Sequence, residues 1–106
     1  MSLSWPPKDP QESLEYSIDW SRFLEGSTIT EVNWFVVTSA GVKTSFPVSA
    51  TVEGLTNAGE SFTGTVCTIR LSNGTLNSRY KIVAQITFGT SSLIAERTVT
   101  MSVRNR

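Results

Sequence analysis

The side chains of this sequence support very little chemistry. Histidine is absent from all 106 residues, which removes the commonest general base and a frequent metal ligand. The aspartates are Asp9 and Asp19, and the seven glutamates stand at 12, 15, 25, 31, 53, 60 and 96. A calcium site takes roughly six to eight oxygens from clustered carboxylates and carbonyls. Glu12 and Glu15 come nearest to such a cluster and fall well short of it. A glycosidase needs two carboxylates facing each other across a cleft, and no such pair stands out. Asp19, directly ahead of Trp20 and Ser21, reads as a turn-former acting through its side-chain oxygen. No glycine loop of the Walker or dinucleotide type is present. Cys67 is the single cysteine, so neither a cysteine zinc site nor an intrachain disulfide can form. It lies on one parity with Thr65, Ile69 and Leu71, as a buried inert thiol does. No catalytic residue, metal or cofactor is expected, and the chain does not read as an enzyme.

The elements that would carry a site are strands. Hydrophobic residues make up 39% and charged residues 17%, and Ser and Thr together number 29. Thr favours strands and Ser favours turns, so this balance suits a sheet protein. A chain of this length is one domain, large enough for a single two-layer core. Net charge is zero with pI near 6.2, and the nine basic residues are scattered, so no nucleic-acid footprint is expected. No apolar run reaches membrane-spanning length and no leader-like apolar stretch opens the chain. With one cysteine, this fits a domain folded in a reducing cytoplasm. Met1-Ser-Leu3 reads as a cloning remnant and is left out of the fold reading. Arg104-Asn-Arg106 reads as a solvated end.

Period-two alternation recurs along the chain. Leu14, Tyr16, Ile18 and Trp20 share a face. Ser21–Gly26 reads as one helical turn, with Ser21 as cap and Gly26 as stop. Thr28–Val37 follows with Val32, Trp34 and Val36 inward and a bulge or double burial at Ile29 and Phe35. Trp34 is the expected core centre, if its indole N–H finds an acceptor. Ser39–Val42 is a turn. Phe46–Val52 is expected as an edge strand blunted by Pro47, Gly54–Glu60 as a loop, and Phe62–Leu71 as a strand with a bulge at Gly64. Asn73-Gly-Thr75 has the N-glycosylation spacing and reads as a tight turn. Tyr80–Phe88 and Thr98–Val103 form a hairpin through Gly89–Ser92. Leu76 on a turn before Tyr80 suggests the tyrosine corner of immunoglobulin-like sandwiches. The expected fold is all-β: an Ig-like or fibronectin-III-like sandwich of about seven antiparallel strands in Greek-key order, with Tyr80–Phe88 central.

Ser4-Trp-Pro-Pro-Lys-Asp-Pro10 stands apart. Its three prolines cannot donate to a ladder and favour extended backbone. The expected organisation is an N-terminal arm over 1–12 and a sandwich over 13–106. Trp5, Lys8, Asp9 and Pro10 are the candidate partner-contact residues, with Trp5 as anchor and Lys8 and Asp9 as a polar rim. The alternative for Trp5 is that it folds back onto its own domain.

Lys8-Asp-Pro10, Leu14-x-Tyr16-x-x-Asp19-Trp20, Leu24, Ile29 and Trp34 form a spaced pattern. It continues through Leu71-Ser-Asn-Gly-Thr75, Tyr80, Ile86-Thr87 and Glu96–Val103. The whole resembles the phage fibre–tail adaptor proteins, small structural proteins of tailed bacteriophages and prophages, from Lys8 to Val103. Two places depart from that family. Ser72-Asn-Gly74 replaces a double glycine, and Gly54–Gly64 is longer than expected. The resemblance implies a non-enzymatic virion protein of the tail or adaptor region, made in the host cytoplasm. Its partners would be other tail or connector proteins, with a homo-oligomer allowed in the particle and no nucleic acid or membrane. The rival reading is a carbohydrate- or cell-surface-binding module. It would need an exposed aromatic on a sheet face, and Trp20 and Phe35 are the candidates.

Overall fold

The longest strand pairing joins Arg79–Phe88 to Leu93–Ser102 in an unbroken antiparallel register from Arg79↔Ser102 to Phe88↔Leu93. Inward parity on the first strand places Tyr80, Ile82, Ala84 and Ile86 in the core, and on the second Val99 and Met101. The computed structural model describes residues 3–105. Its strands in chain order are β1 (Leu3–Ser4), β2 (Leu14–Asp19), β3 (Ile29–Val37), β4 (Lys43–Ser45), β5 (Thr51–Val52), β6 (Leu55–Thr63), β7 (Val66–Asn73), β8 (Arg79–Phe88) and β9 (Leu93–Ser102), with one short helix, α1 (Ser21–Leu24), after β2. They form two sheets in the orders β1-β9-β8-β3-β4 and β2-β7-β6-β5. All pairings are antiparallel except β1 with β9.

The sheets pack face to face as a sandwich, with the expected parities of β2, β3 and β8 turned inward. Tyr16, Ile18, Trp20, Val32, Trp34 and Val36 are buried with Ile69, Leu71 and Cys67 of β7. Trp34 lies opposite Ala84, and the small partner leaves room for the indole. Its N–H has no protein acceptor among the described residues. β3 carries its irregularity between Ile29 and Glu31. Tyr80 donates its hydroxyl to the Glu53 carbonyl at 2.7 Å and accepts the Thr75 N–H at 2.8 Å, so the phenol ties the turn before β8 to the end of β5.

The structure differs from the sequence reading in several places. Of Phe46–Val52 only Thr51–Val52 is a strand, β5 at the edge of its sheet, and the part before it is irregular: Phe46 is fully buried but Val48 is 51% exposed, and Ser49 has φ +75°. Gly54–Glu60, expected as a loop, supplies most of β6. That strand is paired with β7 from Leu55↔Asn73 to Thr63↔Val66, and the buried amide of Asn57 also donates to the Phe46 carbonyl at 2.9 Å. Its backbone exchanges bonds with Ser49 and Ala50, so the polar strand holds the apolar turn in place. Gly64 turns the β6–β7 hairpin, and the bulge falls at Asn57/Gly59 instead. β9 begins at Leu93 rather than Thr98, and Leu3, set aside in the sequence reading, pairs with Val99. Ser21 makes no side-chain cap. Asp19 Oδ1 accepts the Ser21 N–H at 2.9 Å, which is the turn-forming role expected of that aspartate. Of the expected solvated end, Arg104 and Asn105 are exposed, and Arg106 lies outside the described residues, as do Met1 and Ser2.

Candidate interaction surface

Residues 3–10 run along one side of the sandwich and touch both sheets. Leu3 and Ser4 add a parallel strand to β9. Trp5 then donates its backbone N–H to Thr100 of β9 at 2.9 Å and its indole N–H to Ser17 of β2 at 3.3 Å. Its ring stacks on Tyr16 at 4.9 Å and meets Trp34 at 6.2 Å, while Tyr16 donates its hydroxyl to the Pro6 carbonyl. Sheet edges hold unpaired backbone groups that invite foreign strands. Here the arm covers the β9 edge from Val99 onward and part of the β2 edge with one segment.

Lys8 is the unexpected residue of this arm. It is fully buried, with its ammonium donating to the Asn73 carbonyl at 2.5 Å and to the Asp9 carbonyl at 2.8 Å. Its backbone bonds Ser102 and Arg104 at the end of β9. Burial holds its pKa below the ordinary lysine value, and the nearby Glu12 and Asp9 oppose that shift. Asp9 accepts the Gln11 N–H through its carboxylate, while its own N–H donates to Glu12. Asp9 and Pro10 are half-buried. Of the four candidate contact residues, Trp5 and Lys8 thus have their functional groups engaged with their own sandwich. Asp9 and Pro10 sit at its surface, where the arm turns into β2.

A second surface forms at the end of the sandwich holding α1 and the β8–β9 turn. The Arg97 guanidinium lies over the Trp20 ring at 4.4 Å and near Phe23 at 5.8 Å. Phe23 packs edge-on against Trp20 and Phe88. Around this stack Phe23, Leu93 and Ile94 are exposed. The sequence reading did not select these residues. The available signal was Leu93-Ile94, adjacent apolar residues at the start of an alternating strand, which cannot both face the core.

Nothing in either surface assembles a reaction centre. Among the described residues no three His, Cys, Asp or Glu side chains cluster to hold a metal. Cys67 is buried, accepts the Trp20 indole N–H at 3.3 Å, and has its pKa raised by desolvation. Among the described residues no helix is long and apolar enough to cross a membrane. Of the two aromatics that a sugar-binding face would use, one is buried and the other is half-buried. Trp20 is 1% exposed under Arg97, and Phe35 lies beneath the Lys43 ammonium.

The family model described as podophage GP4 fiber-tail adaptor protein gp77 matches residues 8–102. The chain belongs to this fibre–tail adaptor family. The match begins at Lys8 and takes in the buried ammonium, the Asp9–Pro10 corner and all of β9, while Trp5 lies outside it. No match was found among curated proteins. The family agrees with the resemblance drawn from the Lys8–Trp20 pattern and places the chain among bacteriophage tail proteins.

Proposed function

We propose that this protein is a non-enzymatic component of the phage tail that joins fibre to tail through protein–protein contacts. The observation that carries this reading is the family match over residues 8–102. The structure supplies a supporting argument. The sandwich is closed along one side by its own arm and leaves an apolar, cationic end uncovered, as suits a module seated between neighbours. The Tyr80 corner and the β2-β7-β6 order facing β9-β8-β3 support an immunoglobulin-like arrangement. On this reading Asp9 and Pro10 form the part of the arm presented to a tail or connector protein, with Trp5 and Lys8 fixing its shape. The site of action is the virion, after synthesis in the host cytoplasm.

The test is reconstitution. Tails purified from a phage mutant lacking this protein are mixed with the recombinant chain and with fibres. Saturable binding to the tails and restored fibre attachment are expected. Tails that carry fibres equally well without the chain would overturn the reading.

A further inference from the structure

The pairing of β1 with β9 begins at Leu3↔Val99, yet β9 starts six residues earlier at Leu93. Thr100 and Ser102 accept bonds from the arm, so the even-numbered residues of β9 turn their backbone groups to the sheet edge. Period two places the N–H and C=O of Ile94 and Glu96 on that same edge. No strand among the described residues pairs with them. Alongside runs a groove of about 770 Å³ whose walls include Asp19, Arg22, Lys81, Glu96 and Arg97.

The charges of the groove are not balanced in availability. Glu96 is engaged by the Lys43 ammonium and by Gln85 Nε2, which hold its carboxyl below the usual range. Asp19 is engaged by the Ser21 N–H, with the same effect on its pKa. Arg22 and Lys81 form no salt bridge among the described residues, whereas Arg97 lies over the Trp20 ring and its charge also helps lower the Asp19 pKa. The groove thus offers cations and edge backbone groups, while the start of β9 carries Leu93 and Ile94, exposed by 56% and 64%, and Phe23, exposed by 47%, lies near Arg97.

We propose that this groove receives an acidic, extended segment of a partner protein. The segment adds a strand to β9 at Ile94 and Glu96. It sets carboxylates against Arg22, Lys81 and Arg97 and rests an apolar side chain on Leu93 and Phe23. Main-chain pairing supplies affinity, and the alternating side chains supply specificity. A second copy of this chain fits the site poorly, because its β9 edge would bring the same cations face to face. That the partner is a tail protein rests on the adaptor reading; the chemistry of the groove does not.

The test uses the isotope-labelled protein and two short peptides, one alternating Glu and Val, the other Lys and Val. The Glu peptide shifts the Ile94 and Glu96 amides and slows their exchange, and the Lys peptide does not. Arg22→Glu with Lys81→Glu, both exposed positions, lowers affinity about tenfold with an unchanged thermal midpoint. Ile94→Pro removes an edge N–H without touching the β8 ladder and weakens binding of the Glu peptide too. Equal binding of the Lys peptide, amide shifts confined to other places, or no binding would overturn the proposal. Tails lacking the protein are then offered wild type and the doubly reversed variant. If both bind alike, the groove proposal falls and the adaptor reading stands. If wild type itself does not bind, the adaptor reading falls and the peptide titration alone decides the groove.

Discussion

Lys8 shows what one residue can hide from a sequence. Its partner carbonyl at Asn73 lies 65 positions away, so no local pattern marks it as buried, and its neighbours Pro7, Asp9 and Pro10 argue for a solvated loop. By contrast Trp34, Tyr80 and Cys67 were legible, because each sits on an apolar parity whose inward side is unambiguous. Replacing Lys8 by Met keeps the stem but leaves the Asn73 and Asp9 carbonyls without their donor, and a loss of about 1–3 kcal/mol is expected from urea midpoints. The pH dependence has a definite sign. The folded pKa of Lys8 is lowered by burial, so between that value and the ordinary lysine value the unfolded chain binds more protons. Stability from this group therefore rises with pH across that window. Cys67, raised by burial, contributes the opposite slope at alkaline pH, but equally in both proteins, so it cancels in the comparison. Wild type should gain on Lys8→Met as pH climbs toward the lysine range. A constant difference would show that the ammonium is not desolvated. For Tyr80→Phe, which strips a donor from the Glu53 carbonyl and an acceptor from the Thr75 N–H, a destabilisation of about 1–3 kcal/mol is expected by the same measurement.

At the scale of elements, β2, β3 and β8 were legible because each buries one clean face, and a one-residue slip would expose it. β6 was not legible. Its residues 57–60 are Asn-Ala-Gly-Glu, a turn composition, and the ladder with β7 makes them a strand, with Asn57 reaching Phe46 as a side contact. The same contact explains why the apolar alternation of Phe46–Val52 misled: a period-two pattern says nothing about a backbone captured from outside the segment. The turn after β7 was legible from Asn73-Gly74, and it is tighter than the sequence implied. Gly74 has φ +108°, and a Cβ there would sit 2.9 Å from Val103 Cγ2. Gly74→Ala should destabilise by about 1–3 kcal/mol, read as a lower thermal midpoint. The arm is the other element whose docking sequence alone left open. Deleting residues 1–10 uncovers the β9 edge at Val99–Val103, the Tyr16 ring and the Ser17 carbonyl. The truncated protein should melt lower and, by light scattering, associate through its exposed edges. A monodisperse monomer with the parent midpoint would show that the arm contributes nothing to closure.

For the molecule as a whole, the two surfaces divide the work by the kind of force each uses. The fold is held by an interior of aromatic and aliphatic side chains and by carbonyl-rich internal contacts. The two salt bridges among the described residues, Lys43–Glu96 and Arg70–Glu15, are both well exposed, where such pairs contribute little. Net charge is zero, so no long-range self-repulsion opposes compaction. The uncovered end is different, since its cations have no salt-bridge partner among the described residues. Salt should therefore separate folding from assembly. Raising sodium chloride from about 0.05 to 0.5 M shortens the Debye length from roughly 14 to 4 Å, which screens exposed charges and leaves buried contacts untouched. The urea midpoint of the isolated protein should move by less than about 0.5 kcal/mol over this range. Binding to tails lacking the protein should weaken several-fold, and Arg22→Glu with Lys81→Glu should remove most of that salt dependence. If tail binding is as indifferent to salt as folding is, the joint is apolar, and Phe23, Leu93 and Ile94 carry it without the cations.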